Sequence, residues 1–295
     1  MIKALREFSK KNIFLRKLIG YHAASSGIFD FFFKSYKLSG LLLQRSTLVS
    51  QSPDNAFIPR VSEAGRIGHG KQIMHNGLKI YLGSYYGPEY AQLLLLNQGV
   101  HEPQEERVFM EVINSLPANS LMIEMGAFWS FYSMWFQKVV PGAVNYMIEP
   151  DSFNLGHGKR NFSLNNMKGH FVQAFVSSKS TSDGDTPTIS VDDFVRKNNI
   201  DFIHMLHSDI QGFEYEMLLG ASECFMRKKI GYVFISTHSN EIHEKCLVFL
   251  EEQQFFIIAS ANLSQSFSED GFIGARAPYY PGIGQVGISK RNEQL

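Results

Sequence analysis

Residues 121–151 read LMIEMGAFWSFYSMWFQKVVPGAVNYMIEPD. The stretch opens on a short apolar run ending in Glu124, passes a single glycine, Gly126, and takes helical character from about Ser130 to Val140. It closes on a second apolar run, Val144 to Ile148, that ends in Glu149. Apolar runs without polar alternation suit strands covered on both faces, and strands separated by a helix belong to a parallel sheet.

Downstream the alternation continues. His170 to Val176 is a third strand, Ser177 to Pro187 a polar loop, and Val191 to Asn199 a helix. Phe202 to His207 is a fourth strand with a helix from about Gly212 to Arg227, and Tyr232 to Ser236 a fifth with a helix from Glu241 to Gln253. Phe255 to Ser260 and Gly271 to Ala277 have no helix between them, which predicts a hairpin-like pair and one antiparallel strand at an edge. The expectation is an α/β fold with a mostly parallel, seven-stranded sheet.

Upstream the character changes. His101-Glu-Pro-Gln-Glu-Glu opens a helix through Leu116, with Pro103 in its first turn and Glu102, Glu105 and Glu106 at its positive end. Residues 46–100 carry loop signals, Gln51-Ser-Pro-Asp-Asn and Gly65-Arg-Ile-Gly-His-Gly, around a short strand, Leu78 to Leu82, and a helix, Pro88 to Asn97. Residues 1–45 read as two helical segments separated near Gly20 to Gly27. The chain therefore divides into an N-terminal helical extension and substrate-cap segment, 1–100, and a catalytic-type domain, 101–295.

Lys plus Arg and Asp plus Glu both number 28, which argues against a uniformly basic nucleic-acid binder. The balance hides an asymmetry: residues 1–45 hold nine basic and two acidic side chains, and the remainder 19 basic and 26 acidic. A basic, Phe- and Leu-rich leader suits a membrane surface or an acidic partner, and equally the acidic remainder of its own chain or of a second copy in a homo-oligomer. Two cysteines, Cys224 and Cys246, in no metal-ligand spacing point to inert thiols in a reducing, cytoplasmic setting. The most apolar stretch, Gly27 to Leu43, is broken by Asp30, Lys34 and Lys37, so neither a membrane span nor a signal peptide is expected.

In open α/β sheets ligands bind past the C-terminal ends of strands, near the switch point. Glu149 lies at the end of the second strand, 23 positions after Gly126, where a carboxylate accepts hydrogen bonds from ribose hydroxyls. A dinucleotide needs three glycines for close approach of its pyrophosphate, and bulky Phe128 and Trp129 follow the one glycine here. That disfavours an NAD-dependent oxidoreductase. S-adenosylmethionine (SAM) has a ribose and a sulfonium but no phosphate, and fits acidic strand ends better; ordinary acidic strand ends without a ligand remain the alternative.

The fourth strand leads into His207-Ser-Asp209-Ile-Gln211-Gly-Phe-Glu214, and the fifth ends at Ser236-Thr-His238. Residues two apart in an extended segment point the same way, so His207 and Asp209 face one site. If the two strands are neighbours, roughly 4.8 Å apart, Asp209 and His238 reach one ligand. Such a pair serves to deprotonate a hydroxyl, or as two ligands of a divalent metal. His204 falls on the opposite strand face and reads as a core histidine.

Taken in order, Glu124-Met-Gly-Ala, Ile148-Glu-Pro-Asp, Ile189-Ser-Val-Asp-Asp-Phe, Ile200-Asp-Phe-Ile and Asp209-Ile-Gln-Gly-Phe-Glu-Tyr-Glu-Met-Leu-Leu-Gly-Ala resemble FkbM-type SAM-dependent methyltransferases over residues 100–277. The resemblance implies a Rossmann-like class I methyltransferase sheet and methyl transfer, usually to a hydroxyl of a sugar or other small molecule. It implies that Glu124, Gly126 and Ala127 line the methionine end of SAM, that Glu149 holds the ribose, that Asp151 lies near the adenine and that Asp209 stands beside the transferred methyl. Phe128, Ser130 and Gln211 join this candidate cofactor-binding set. Trp129-Ser130, His207 and Thr237-His238-Ser239 depart from the commoner family pattern. The resulting expectation is an O-methyltransferase for a small-molecule or glycan acceptor, with Asp209, His238 and His207 as catalytic candidates and Asp209 and His238 as metal candidates. Tyr85, Tyr86, Phe128 and Trp129 would wall its pocket. A non-catalytic nucleoside-binding or interaction module, docked by the basic leader, is the alternative.

Overall fold

A computed structural model describes Gly27 and residues 30–291 of the chain; the first expected N-terminal helical segment, with Lys3 to Lys17 of the basic leader, lies outside the described residues. Helices α1 (Asp30–Ser35) and α2 (Gly40–Gln51) supply the second segment, followed by a 3-10 turn, Pro53–Phe57. Strands β1 (Ile67–Gly68), β2 (Lys71–Ile73) and β3 (Lys79–Tyr81) form a small antiparallel sheet, and helices α3 (Pro88–Leu96) and α4 (Pro103–Ser115) follow. Of these three strands only β3 has a sequence signature; β1 and β2 are too short to show a period.

The main unit then runs β4 (Leu121–Met125), α5 (Phe131–Val139), β5 (Val144–Ile148), α6 (Ser152–Leu164), β6 (His170–Val172), β7 (Phe175–Val176) and β8 (Thr188–Ile189). It continues α7 (Val191–Lys197), β9 (Ile203–Ser208), α8 (Glu214–Leu219), α9 (Ser222–Met226), β10 (Ile230–Thr237), α10 (Asn240–Glu252), β11 (Phe256–Ala261) and β12 (Gly271–Arg276). Seven strands form one sheet in the order β11-β12-β10-β9-β4-β5-β6. Strands β10 through β6 are mutually parallel, and β12 runs antiparallel to both its neighbours. This is the mostly parallel Rossmann-like sheet expected. Every residue of β10 is buried, as a strand covered on both faces requires.

Three local expectations are corrected. The antiparallel strand is not at the edge. Helix α10 returns the chain parallel to β10 but one strand position beyond it, and the hairpin's second arm, β12, fills the gap. The third strand is divided: β6 joins the main sheet, while β7 turns away at Gln173-Ala174 and pairs with β8. The helix expected over 212–227 is two helices, because the side chain of Asp192, on α7, takes the backbone amides of Glu223 and Cys224 at 2.9 Å and caps a fresh start.

The order of the strands reverses between β4 and β9. The chain winds outward through β5 and β6, then returns to the other side of β4. Their C-terminal ends therefore open a crevice. An apolar cluster joins Val49, Met74, Leu78 and Ile80 of the N-terminal segment to Phe109, Trp135 and Phe234 of the main unit, so the segment before α4 packs on the sheet's α4–α5 face.

Gly126 fixes the crevice floor. Its φ is +73°, its amide donates to Ile148 at 2.9 Å, and Asp209 donates its amide to Met125 at 2.9 Å. A Cβ on Gly126 would overlap the Asp209 carbonyl oxygen, so the glycine is needed for the closure of β4 on β9. Gly126→Ala is expected to lower the unfolding free energy by about 2 kcal/mol or more, read as a fall in urea midpoint; an unchanged midpoint would contradict this packing.

Candidate functional site

Two cavities meet at the switch point. The larger, about 600 Å³, lies over the ends of β5 and β7 and is walled by Phe128, Phe175, Ile210 and Phe213, with Glu149 and Asn154 as polar groups. The smaller, about 280 Å³, lies toward the cap and takes Arg45, Tyr85, Tyr90, Glu102, His207, His238 and Asp270 into its wall. Tyr86, Gly126, Phe128, Asp209 and Gln211 line both. Asp209 thus stands at the junction between an apolar chamber and an acidic one.

The β5 end is built around Glu149. Its Oε2 accepts from the Phe128 amide at 3.2 Å, and its Oε1 accepts from the Asp151 amide at 3.0 Å. The loop after Gly126 is held in left-handed turns, with φ of +38° at Phe128 and +61° at Ser130, and the Glu149 carboxylate secures the first of them. Burial raises Glu149 above the usual carboxylate range despite those amides.

The β9 and β10 ends converge on His238. Its Nδ1 lies 2.6 Å from Glu214 Oε1, and its Nε2 lies 3.2 Å from Asp209 Oδ1 and 3.5 Å from Asp270 Oδ1. Burial alone would lower its pKa, but hydrogen bonds to Asp209 and Glu214 and the charges of Asp209 and Asp270 override it and push His238 up to about 10. His238 is therefore an imidazolium at neutral pH. Burial, reinforced by Asp209, raises Asp270 to about 6 even against the pull of His238.

A second layer of buried charge underlies the smaller cavity. His207 Nε2 lies 2.8 Å from Glu105 Oε1, and Ser236 donates its hydroxyl to Glu105 Oε2 at 2.8 Å. Glu106 meets His101 at 2.6 Å and His75 at 3.0 Å. Burial alone would raise Glu106, but those two histidines hold it well below the carboxylate range. Tyr132 donates its hydroxyl to Glu102 at 2.8 Å, and burial lifts Glu102 and Glu124 each to about 7. Arg45, reaching in from α2, meets Glu269 at 2.5 Å and the Tyr90 hydroxyl at 3.0 Å.

Residues 172–257, from β6 into β11, match the family model described as the FkbM domain of methyltransferases. The matched segment covers under a third of the chain. It contributes Asp209, Gln211, Glu214 and His238 to the site. No curated protein matches the chain. Solved structures with a similar fold include precorrin-6y C5,15-methyltransferase from Geobacter metallireducens, at 14% identity over 59% of this chain and 88% of that one, with a TM-score of 0.43. Methyltransferase FkbM from Methylobacillus flagellatus aligns at 18% identity over 66% of this chain and 56% of that one, TM-score 0.42. M. capricolum TrmK, in complex with S-adenosyl-homocysteine, aligns at 11% identity over 59% and 69%, TM-score 0.39. These are distant likenesses of fold.

The matched segment brings Asp209 and His238 together as the sequence spacing predicts, and adds the Gln211 side-chain amide 2.8 Å from His238 Nε2, an amide that must turn its oxygen toward a protonated ring. Other expectations change. The carboxylates around His238 favour its protonated form, which argues against it as the base. Its ring nitrogens both face carboxylates, and among the described residues no group of three or more His, Cys, Asp or Glu is arranged to hold a metal, so the residues do not fit the metal reading. Glu124 and Ala127 line only the smaller cavity, because the Ser133 amide at 3.2 Å draws Glu124 toward α5. Asp151 lines neither cavity and caps α6, accepting from the Phe153 and Asn154 amides at 2.8 and 2.9 Å. Ser130 lines neither cavity; its hydroxyl is buried against Gly158. His204 accepts from the Leu121 amide at 3.0 Å at the opposite end of the sheet, a packing role.

Sequence reasoning missed Arg45, Glu102, Glu105, Glu269 and Asp270. The one available signal was the density of carboxylates in His101-Glu-Pro-Gln-Glu-Glu, read only as favouring a helix start. Asp270 sits in a hairpin loop rather than after a parallel strand, where no rule looks for it.

Because the folded-state pKa of His238 is raised, its stabilising contribution is complete below about 6.5, the unfolded value, and is lost as pH climbs toward about 10. Imidazole nitrogen NMR should show His238 protonated at pH 8, and a midpoint near 6.5 would overturn the assignment.

Proposed function

We propose that the chain is a SAM-dependent O-methyltransferase acting on a small molecule whose hydroxyl enters the smaller cavity. The observation that carries this reading is the junction: an apolar chamber and an acidic chamber share Gly126, Phe128, Asp209 and Gln211. A cofactor and an acceptor occupying the two would meet beside one carboxylate.

The residues present fit SAM. A chamber of about 600 Å³ is within the usual range for cofactor pockets. Phe128, Ile210, Phe175 and Phe213 offer apolar faces for a purine, and Glu149 and Asn154 offer polar atoms for ribose hydroxyls. The only glycine among its wall residues is Gly126, engaged with the Asp209 backbone, so there is no run of close-approach glycines of the sort that cradles a pyrophosphate. When bound, SAM supplies a methyl group on a sulfonium. Tyr86 and Phe128, with ring centroids 4.6 Å apart, stand at the junction and favour a neighbouring cation.

The chain's own part is alignment and proton removal. Asp209, about one-third exposed and facing both chambers, accepts the proton of the acceptor hydroxyl. His238 neutralises the surplus charge of Asp209, Glu214 and Asp270 and orients the Asp209 carboxylate. The cap residues Tyr85, Tyr90 and Arg45 narrow the acceptor chamber, which exposes less solvent to the reacting groups.

Calorimetry should detect SAM binding, and no heat at millimolar SAM would sink the reading. Glu149→Gln should weaken SAM at least tenfold, about 1.4 kcal/mol; unaltered affinity would remove Glu149 from the cofactor site. Asp209→Asn should lower kcat at least about 100-fold with SAM affinity changed by less than about threefold, and near-normal kcat would transfer the base role elsewhere.

A further inference from the structure

Helix α2 is inverted. It exposes Leu41 and Leu43, at 80% and 49%, while burying Arg45 at 5% and Ser46 at 4%. The preceding α1 exposes Phe31 and Phe32, at 82% and 51%, and keeps only Phe33 inside. Four large apolar side chains within thirteen positions are thus exposed, a density that marks an interaction segment rather than scattered surface residues.

The charge around this segment selects the occupant. Lys34 and Lys37 are exposed between the apolar residues, and residues 31–51 contain no Asp or Glu. The nearest acid, Asp30, is turned inward and accepts from the Gly70 amide at 3.0 Å. Ahead of it the sequence adds Lys3, Arg6, Lys10, Lys11, Arg16 and Lys17 against Glu7 alone. Large apolar side chains interleaved with lysines match the headgroup boundary of an anionic bilayer: the rings and leucines enter the acyl edge and the ammonium groups stay at the phosphates.

The segment also has a fixed relation to the cleft. Arg45, one turn after Leu41 on the same helix, forms part of the wall of the smaller cavity and is held there by Tyr90 and Glu269. Among the described residues no helix is long and apolar enough to cross a membrane, so any lipid contact made by them is peripheral. We infer that α1 and α2, through Phe31, Phe32, Leu41 and Leu43 with Lys34 and Lys37, dock the protein on an anionic membrane surface and bring the mouth of the smaller cavity to the lipid. The docking itself does not rest on the methyl-transfer reading, and its test uses no SAM.

The full chain should float with phosphatidylcholine vesicles containing about one-third phosphatidylserine, fail to float with pure phosphatidylcholine, and be released by about 0.5 M salt. Replacing Phe31, Phe32 and Leu41 together by Ser should cut the bound fraction at least about tenfold while circular dichroism stays unchanged. Both native cysteines are buried, so an environment-sensitive dye can be placed at Phe31→Cys. Its emission should shift to the blue only when the anionic vesicles are added. No flotation, or flotation unaffected by the triple substitution, would overturn the inference. So would a dye already shifted without vesicles, which would mean that another part of the chain or a second copy covers the segment; a dimer mass in size exclusion would identify the copy.

Discussion

Burying carboxylates is costly unless each meets a cation or a donor. The N-terminal turn of α4 places Glu102, Glu105 and Glu106 inside the protein, all under 9% exposed, and the surrounding structure is organised to satisfy them. His75 comes from the cap, His101 from the approach to α4, His207 from β9, Ser236 from β10 and Tyr132 from α5. Residues as distant in sequence as His75, Tyr132, His207 and Ser236 are thereby drawn to one helix end. Removing one partner would leave a buried charge uncompensated, so this junction specifies how the cap, the α4–α5 layer and the sheet fit together.

The same electrostatics reaches the surface of the cleft. Burial raises Glu102 and Asp270, and the charge of Asp209 adds to both. His238 offsets part of that negative charge by remaining protonated. Asp209 is oriented by His238 yet stays partly open to the smaller cavity.

The sheet contributes the place, and residues 172–257 bring Asp209, Glu214 and His238 to it. The reversal between β4 and β9 opens the crevice, and the left-handed loop after Gly126 lets Phe128 and the Glu149 carboxylate meet across the β5 end. The cap then divides the crevice. Tyr85 stacks on Trp129 with centroids 4.4 Å apart, and Arg45 closes the far wall against Glu269. The departure of Trp129 from the commoner family pattern acquires a structural reason: it is the aromatic surface on which the cap tyrosine rests.

The sequence by itself determined the alternation of β4 to β11, the two acidic strand ends, and the pairing of Asp209 with His238, because apolar runs, helix spacing and the two-residue period of strands are local properties. It did not determine the place of β12 within the sheet, the break between α8 and α9, or the cap function of Asp192, since each depends on a partner distant in sequence. Nor could it assign protonation. His238 reads as a base from its residue type; only the tertiary structure sets Asp209, Glu214 and Asp270 around it and favours its protonated form. Residue type and spacing set what a side chain is able to do, whereas burial and the sum of surrounding charge, which exist only once the chain is folded, decide which of those things it does.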